Sequence, residues 1–445
     1  MNKDMTIGNP SKILFYFAIP MVAGNILQQL YSIIDSMIVG NFVGAEAFAA
    51  IGASYPITFV LITVANGCSI GCGVIISQYY GGKLIDKVKT SIFTSLIFAG
   101  LFSFVLMLLG IVFSNNILSL MNTPSDIFTD SYIYIKIYFI GVVFLFLYNI
   151  VNSSFNALGN SRTPLIFLIF SSFLNIGLDL LFVVKFQWGV AGAAYATLIS
   201  QGVSAVLSLF FLLKSLKSIQ HEEKIVFFDI KILKNIFKIA VPSILQQSIV
   251  SIGNLFVQSL VNSYGAVVIA GYAAATKIDS ITILPMSSMS NAVSTFTGQN
   301  IGAHKSERIK DGYKAALIMI GIFCAFAAIT LFLTGHNLVG LFVDSTSNGG
   351  VINIGTQYLK IVSLFYFFMG LMVITNGILR GSGDMKVFLA STFANLSTRV
   401  ICAYGLAFFI GQSAIWWAVP LGWLSASSIS VFRYRSGKWK HKGVV

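Results

Sequence analysis

The stretch LYSIIDSMIVG, residues 30–40, decides the class of fold, because it places the carboxylate of Asp35 in an apolar run that begins near Ile13. The run is long enough to cross a bilayer, which takes about 20 residues. A carboxylate inside such a helix costs about 2.5 kcal/mol or more, so an ionisable residue there is first of all a candidate for function. The alternatives are that Asp35 marks the end of the helix or pairs structurally with a neighbour.

Composition extends this interpretation to the whole chain. The 445 residues are 56% hydrophobic and only 10% charged. With apolar runs along the entire sequence, this indicates an all-α polytopic membrane protein, and the alternating polarity of a membrane β-barrel is absent. No cleavable signal peptide is visible, because the first apolar segment is as long as a transmembrane helix. The runs predict twelve helices, near residues 12–40, 47–78, 91–113, 131–154, 164–184, 190–213, 236–260, 267–297, 314–334, 355–379, 387–409 and 413–433.

The net charge of +13 follows the predicted topology. If the N-terminus and the loops at even-numbered helix ends are cytoplasmic, that side holds 23 of the 28 Lys and Arg residues, and the opposite side holds only Lys185. The other four lie within predicted helices. This distribution obeys the positive-inside rule, so we predict two cytoplasmic termini in a bacterial cytoplasmic (inner) membrane. The basic surplus therefore indicates no nucleic-acid partner.

The chain contains an internal duplication. Its most polar internal stretch, residues 214–235, separates two halves that share four motifs in the same order, and Gln78 and Gln299 in the second motif are 221 residues apart. The pairs are AIPMVAGNILQQLY (18–31) with AVPSILQQSI (240–249), QYYGGK (78–83) with QNIGAH (299–304), YIKI (134–137) with YLKI (358–361), and NSSFNALGNSR (152–162) with NGILRGSGDMK (376–386). We predict an N-lobe over residues 1–217, a cytoplasmic linker over 218–235 and a C-lobe over 236–445.

The duplication predicts a transporter architecture. Each half holds an even number of helices, so both halves insert with the same orientation as two pseudo-symmetric six-helix bundles. Such halves are related by an axis along the membrane normal, and a substrate cavity is expected where they meet. Two bundles of this kind can rock and expose the cavity to one side and then the other, which is rocker-type alternating access.

No internal source of chemical energy is visible. The sequence lacks a Gly-x4-Gly-Lys-Ser/Thr phosphate loop, and GGKLID at 81–86 has the wrong spacing. Constellations of catalytic residues are absent as well, so the sequence predicts no enzyme and no cofactor. An ion gradient of H⁺ or Na⁺ remains as the energy source. This directs attention to the three acids within the apolar runs, Asp35, Asp179 and Asp279.

Two of these acids are predicted to lie at one level of the N-lobe. At about 1.5 Å per helical residue, Asp35 and Asp179 each lie about 9 Å from the outer ends of their helices, and Thr197 lies about 12 Å from the same side. Asn175 stands one turn from Asp179 on the same helix face. Tyr134 and Tyr138 enter at similar depth as a candidate coupling network. The carboxylate pair suits a proton or, with Asn175 and Thr197, Na⁺. A hydrogen-bonded polar plug is the alternative.

These residues resemble the multidrug and toxic compound extrusion (MATE) transporters along essentially the whole chain. The resemblance rests on AIPMVAGNILQQLYSIIDSMIVG (18–40), QYYGG (78–82), NIGLDLLF (175–182) and the paired loops LGNSRTP (158–164) and RGSGDMK (380–386). It is closer to the DinF-like and small bacterial members than to the NorM-like branch, whose C-lobe acids are replaced here by neutral residues such as Gln246, Gln247 and Asn376.

The resemblance implies roles for individual residues. It implies export of bulky, often cationic organic compounds against H⁺ or Na⁺ entry, with an N-lobe coupling site at Asp35, Asn175, Asp179 and Thr197. It also implies that the first helix bends at Pro20, and a proline inside a helix permits such a kink.

The sequence gives less information about the substrate cavity and the partners than about the coupling site. Candidate cavity residues are Gln28, Asp279, Met286 and Met289, since flexible thioethers suit promiscuous binding. Lys277 and Arg399 lie near the depth of Asp279, so a structural ion pair is the alternative for that acid. We expect small organic cations or drugs and membrane lipid as partners, and a monomer. The rival functions are a lipid-linked precursor flippase of the same superfamily and a membrane-embedded transferase.

Overall fold

A computed structural model describes residues 3–217, 226–342 and 349–445. Apart from short turns, these residues form helices. The α-helices are α1 Pro10–Phe42, α2 Ala45–Gly81, α3 Ile85–Leu120, α4 Ser125–Ala157, α5 Arg162–Asp179, α6 Gly189–Lys217, α7 Ile230–Asn262, α8 Ala266–Gly302, α9 Ser306–Gly340, α10 Gly349–Leu364, α11 Tyr366–Ser382, α12 Met385–Ile410 and α13 Ser413–Arg435. A π-helical segment, Leu180–Lys185, continues α5, and a short 3₁₀ helix, Lys438–His441, follows α13.

The helices confirm the predicted all-α membrane fold. In the described residues, 11 single helices are long and apolar enough to cross a membrane, and α10 with α11 makes a twelfth span that bends by 55°. The sequence predicted this twelfth span as one continuous helix over 355–379. That prediction is wrong at Phe365, where no proline or glycine announced the break.

The predicted helices are mostly too short. For example, α3 begins at Ile85, α4 at Ser125 and α9 at Ser306, each at least six residues before the predicted start. The reason is physical: an apolar run marks only the part of a helix inside the hydrocarbon, about 30 Å, whereas these helices continue into the polar region. Their first turns accordingly carry acids, Asp86, Asp126 and Glu307, which suit the N-terminal end of a helix.

The described chain groups into two compact units. The first comprises Met1–Asp4 and Ile19–Ile244, and the second comprises Met5–Ala18 and Leu245–Val445. In the first unit α4 packs against α2, α3 and α6, and in the second α8 packs against α9, α10 and α11 while α12 packs against α13. The first helix of each repeat is thus divided: α1 changes unit after Ala18 and α7 changes unit after Ile244, each within two residues of a proline, Pro20 or Pro242.

The predicted linker over 218–235 is partly helical. Residues 218–225 lie outside the described part, but α7 begins at Ile230 instead of near 236. The start is fixed by Asp229, whose Oδ1 accepts hydrogen bonds from the backbone N–H groups of Lys231, at 2.7 Å, and Ile232, at 3.3 Å. This is an N-cap, and it satisfies two of the N–H groups that a helix start leaves without partners.

The segment before α1 is bound to the second unit through its backbone. Met5 donates its N–H to Gln299 Oε1 at 2.9 Å, and the side chain of Arg308 donates to the carbonyls of Met5, at 3.1 Å, and Ile7, at 2.9 Å. Lys305 Nζ donates to the Thr6 carbonyl at 2.9 Å. Met5 is completely buried. Residues nearly 300 positions further along the chain therefore hold the N-terminal segment in place.

Candidate functional site

The four predicted coupling residues meet in the first unit. α1 carries Asp35, α5 carries Asn175 and Asp179, and α6 carries Thr197. Asp179 is fully buried and Asn175 is 1% exposed, whereas Asp35 and Thr197 are partly buried. Asn175 and Asp179 lie one turn apart on α5 and face the same way, as their spacing predicted.

Asn175 links Asp179 to Thr197. With its amide oriented to satisfy both neighbours, its nitrogen donates to Asp179 Oδ2 at 2.8 Å and its oxygen accepts from the Thr197 backbone N–H at 3.2 Å. An amide can do both because it carries a donor and an acceptor on one planar group. Asn175 therefore fixes one oxygen of Asp179 and leaves the other available.

The carboxyl groups of Asp35 and Asp179 lie close enough to interact directly. Two ionised carboxylates have no donor between them, so a proton on one of the two would let it donate to the other. Each residue also keeps one buried oxygen, Oδ1, without a partner among the described residues. Buried polar atoms are nearly always satisfied, so these two oxygens call for a partner such as a bound ion or a water molecule.

Tyrosines complete the polar cluster. Tyr134 on α4 lies near both carboxylates, and its ring stacks on Tyr138 at a centroid distance of 6.2 Å. Tyr31, which the sequence analysis missed, also lies near both carboxylates and beside Thr197. Its signal was present: Tyr31 precedes Asp35 by four residues, so the two share one face of α1.

No basic side chain among residues 3–217, 226–342 and 349–445 forms an ion pair with either carboxylate. The ion pairs found there involve Glu307 and Asp384 instead. The nearest candidate from the sequence, Lys136, is exposed and lies over the ring of Tyr132 at 5.5 Å. Its charge thus points away from the cluster, as expected of a lysine that reaches toward the membrane surface. In the described part of the chain, no basic side chain therefore neutralises the carboxylate pair.

Asp279 in the second unit has a different environment. It is 7% exposed, and its carboxylate accepts hydrogen bonds from Tyr366 at 2.6 Å and from Tyr358 at 3.2 Å. Arg399 donates instead to Asn254 Oδ1 at 3.1 Å and to the Tyr272 hydroxyl at 3.3 Å. In the described residues neither Lys277, which is exposed, nor Arg399 forms an ion pair with Asp279. The ion pair that was the alternative for Asp279 does not form in the described residues, and two tyrosine hydroxyls bind its carboxylate instead.

Three other candidate residues are placed as follows. Met286 is completely buried and Met289 is 7% exposed, so both side chains lie in the interior of the second unit. Their assignment to the substrate cavity stays a prediction. Gln28 on α1 is exposed, and its role in substrate binding stays a prediction.

The chain has relatives along its whole length. The MatE family model matches residues 20–181 and 242–405, so it recognises both halves of the duplication. The "Probable multidrug resistance protein YpnP" of Bacillus subtilis is 32% identical, with 98% of this chain and 97% of that protein covered. The "Multidrug export protein MepA" of Staphylococcus aureus is 26% identical over 84% of this chain and 82% of that protein.

A solved structure shows the same fold. A MOP superfamily transporter from Pyrococcus furiosus superimposes with a TM-score of 0.90 at 23% identity, with 98% of each chain covered. The family match, the length of the alignment to YpnP and the shared fold agree with the resemblance found in the sequence. The chain belongs to the MATE family of multidrug transporters, and it is a transporter and not an enzyme.

Proposed function

We propose that this protein is an ion-coupled antiporter that exports bulky, often cationic organic compounds, and that Asp35 and Asp179 bind the coupling ion. The observation that carries the proposal is the close pair of carboxyl groups, with an unpartnered buried oxygen on each residue and no basic side chain paired with either one among the described residues. The names of the relatives YpnP and MepA support a multidrug substrate range.

The chemistry of the pair suits H⁺ or Na⁺. A proton bound by one carboxyl group lets it donate to the other, and release of that proton leaves two negative charges that repel each other in a low-dielectric environment. Na⁺ could replace the proton, because carboxylate oxygens are the ligands that hard cations prefer. Tyr31 and Tyr134 provide hydroxyl groups beside either ion. Ion uptake on one side and release on the other would then accompany rocking of the two six-helix bundles, which act in this proposal as a monomer in the cytoplasmic membrane.

The energy available is sufficient for active export. One elementary charge that crosses 100 mV supplies about 2.3 kcal/mol. At about 1.36 kcal/mol per factor of ten, this sustains roughly a fifty-fold gradient of substrate.

The test is dye export by purified protein in vesicles with separately imposed ΔpH and Na⁺ gradients. Asp35→Asn keeps the shape of the side chain but cannot exchange a proton, so this variant should bind dye and fail to concentrate it. Asp179→Asn should behave alike, and the double variant should be little worse, because the two acids act as one unit. Asp126→Asn, the same change at an exposed acid of α4, is the control and should export normally.

Three outcomes would contradict the proposal. Gradient-driven export near the wild-type rate by Asp35→Asn would remove this site from the coupling mechanism. Export that neither gradient drives would exclude an ion antiporter. Translocation of a lipid-linked precursor without dye export, measured in the same vesicles, would favour the flippase.

A further inference from the structure

An apolar layer covers the carboxylate pair on one side. It consists of Ile38 and Val39 from α1, Ala47 from α2, Val183 from the π-helical segment, and Val190 and Ala193 from α6, which are all between 0% and 7% exposed. Tyr134, Ile176 and three further hydrophobic residues pack against it. These six buried residues are called the apolar layer below.

The apolar layer lies one helical turn from the polar cluster. Val39 follows Asp35 by four residues, Val183 follows Asp179 by four, and Ala193 precedes Thr197 by four, which is about 6 Å along each helix. The helices α1 and α6, and the π-helical segment that continues α5, thus each contribute a residue to the apolar layer one turn from a polar site residue. The layer lies toward the end of the unit where α1 ends and α6 begins, which the charge distribution predicts to be the outer side.

The residue Val183 belongs to an irregular part of the fold. The π-helical segment begins directly after Asp179, and Phe186 donates its N–H to the Leu181 carbonyl at 2.9 Å, five residues back. Segments of this geometry are rare and occur frequently at functional sites. A return to α-helical geometry would rotate side chains in the segment by up to about 100°, one residue of an α-helix, and would turn Val183 away from the layer.

We propose that the apolar layer is the gate between the ion-binding carboxylates and the outer side, and that Val183 on the π-helical segment is its movable residue. An ion can cross a packed apolar layer only at high cost, and hydrophobic constrictions close aqueous paths by excluding water. With the layer closed, the carboxylate pair is separated from the outer solution. The inference rests on the proposed function, since it assigns the route by which the coupling ion reaches the site.

The gate is tested by thiol labelling in intact cells. In a background without the native cysteines, Asp35→Cys places a reporter directly behind the layer, and Thr197→Cys repeats the measurement with both acids present. Val183→Ala should speed reaction with a small charged methanethiosulfonate from outside by about tenfold, which corresponds to about 1.4 kcal/mol. Val183→Ile should slow it. Val151→Ala is the matched control, because Val151 is also completely buried in this unit but lies outside the layer.

The results separate the gate from the coupling site. Unchanged labelling in Val183→Ala, equal acceleration by Val151→Ala, or acceleration only in inside-out vesicles would each overturn the gate. Labelling does not depend on transport, so the gate can fail while Asp35→Asn still abolishes dye export. The other case is normal export by Asp35→Asn together with faster labelling in Val183→Ala. The apolar layer would then be a steric barrier in front of residues that bind no coupling ion, and this result would overturn the gate as proposed.

Discussion

Asp279 illustrates how a carboxylate within the membrane is held by tyrosine hydroxyls without an ion pair among the described residues. Its two oxygens accept from Tyr358 and Tyr366, which lie on either side of the break at Phe365. Hydrogen bonds to a charged group contribute about 1.5–3 kcal/mol, more than neutral ones, when the group is ionised. The carboxylate therefore connects α8 to both halves of the bent span.

This geometry predicts an order of stability among variants. Tyr366→Phe removes the 2.6 Å hydrogen bond and should destabilise the purified protein more than Tyr358→Phe, which removes the 3.2 Å bond. Asp279→Ala should be the most damaging, because it leaves two buried hydroxyls without an acceptor, at about 1–3 kcal/mol each. Thermal unfolding in detergent measures the order, and equal midpoints for the two tyrosine variants would refute it.

A second prediction concerns substrate range. Asp279→Asn retains an oxygen acceptor for the tyrosines but removes the negative charge. If Asp279 meets cationic substrates, this variant should lose export of cationic dyes and keep that of neutral ones, with Asp35→Asn as the contrast that loses both. Equal loss of both classes in Asp279→Asn would assign Asp279 a structural role only.

At the scale of elements, the two irregular membrane segments both adjoin a buried acid. The π-helical segment follows Asp179, and the break at Phe365 lies between the two tyrosines that bind Asp279. The first two helices of the repeats are matched in length: α1 and α7 have 33 residues each, and α2 and α8 have 37 each.

The sequence predicted the regular parts of this arrangement and missed the irregular ones. Depth along a regular helix is a simple count, so Asp35, Asp179 and Thr197 could be placed at one level without a structure. The π-helical segment LLFVVK is apolar throughout, so hydropathy cannot distinguish it from an α-helix. The break at Phe365 lies between two tyrosines that bind Asp279, about 80 residues earlier in the chain, and a local pattern carries no information on such distant contacts.

The start of α7 offers a prediction at this scale. Asp229→Ala removes the N-cap and should cost about 1 kcal/mol, with faster amide hydrogen exchange confined to the first turn of α7. Asp229→Asn retains a side-chain oxygen as an acceptor and should exchange like the wild type. Equal exchange in all three proteins would show that other contacts fix the start of the helix.

At the scale of the whole molecule, the charge distribution predicts the orientation in the membrane. Single cysteines at Ser125 and Ser306, in a background without the native four, lie at the starts of α4 and α9. The cysteine at position 125 should react with an impermeant reagent in intact cells, and the one at 306 only in inside-out vesicles. Reaction of position 306 from outside would reverse the topology and with it the side of the proposed gate.

The bound N-terminal segment has a consequence for biosynthesis. Met5 and Ile7 leave the ribosome early, but their partners Gln299 and Arg308 are synthesised about 300 residues later. At 5–20 residues per second, roughly 15–60 s pass before these hydrogen bonds can form. Met5–Ala18, which include the start of α1, are therefore made well before the rest of the second unit to which they belong, so that unit cannot form in simple order of translation.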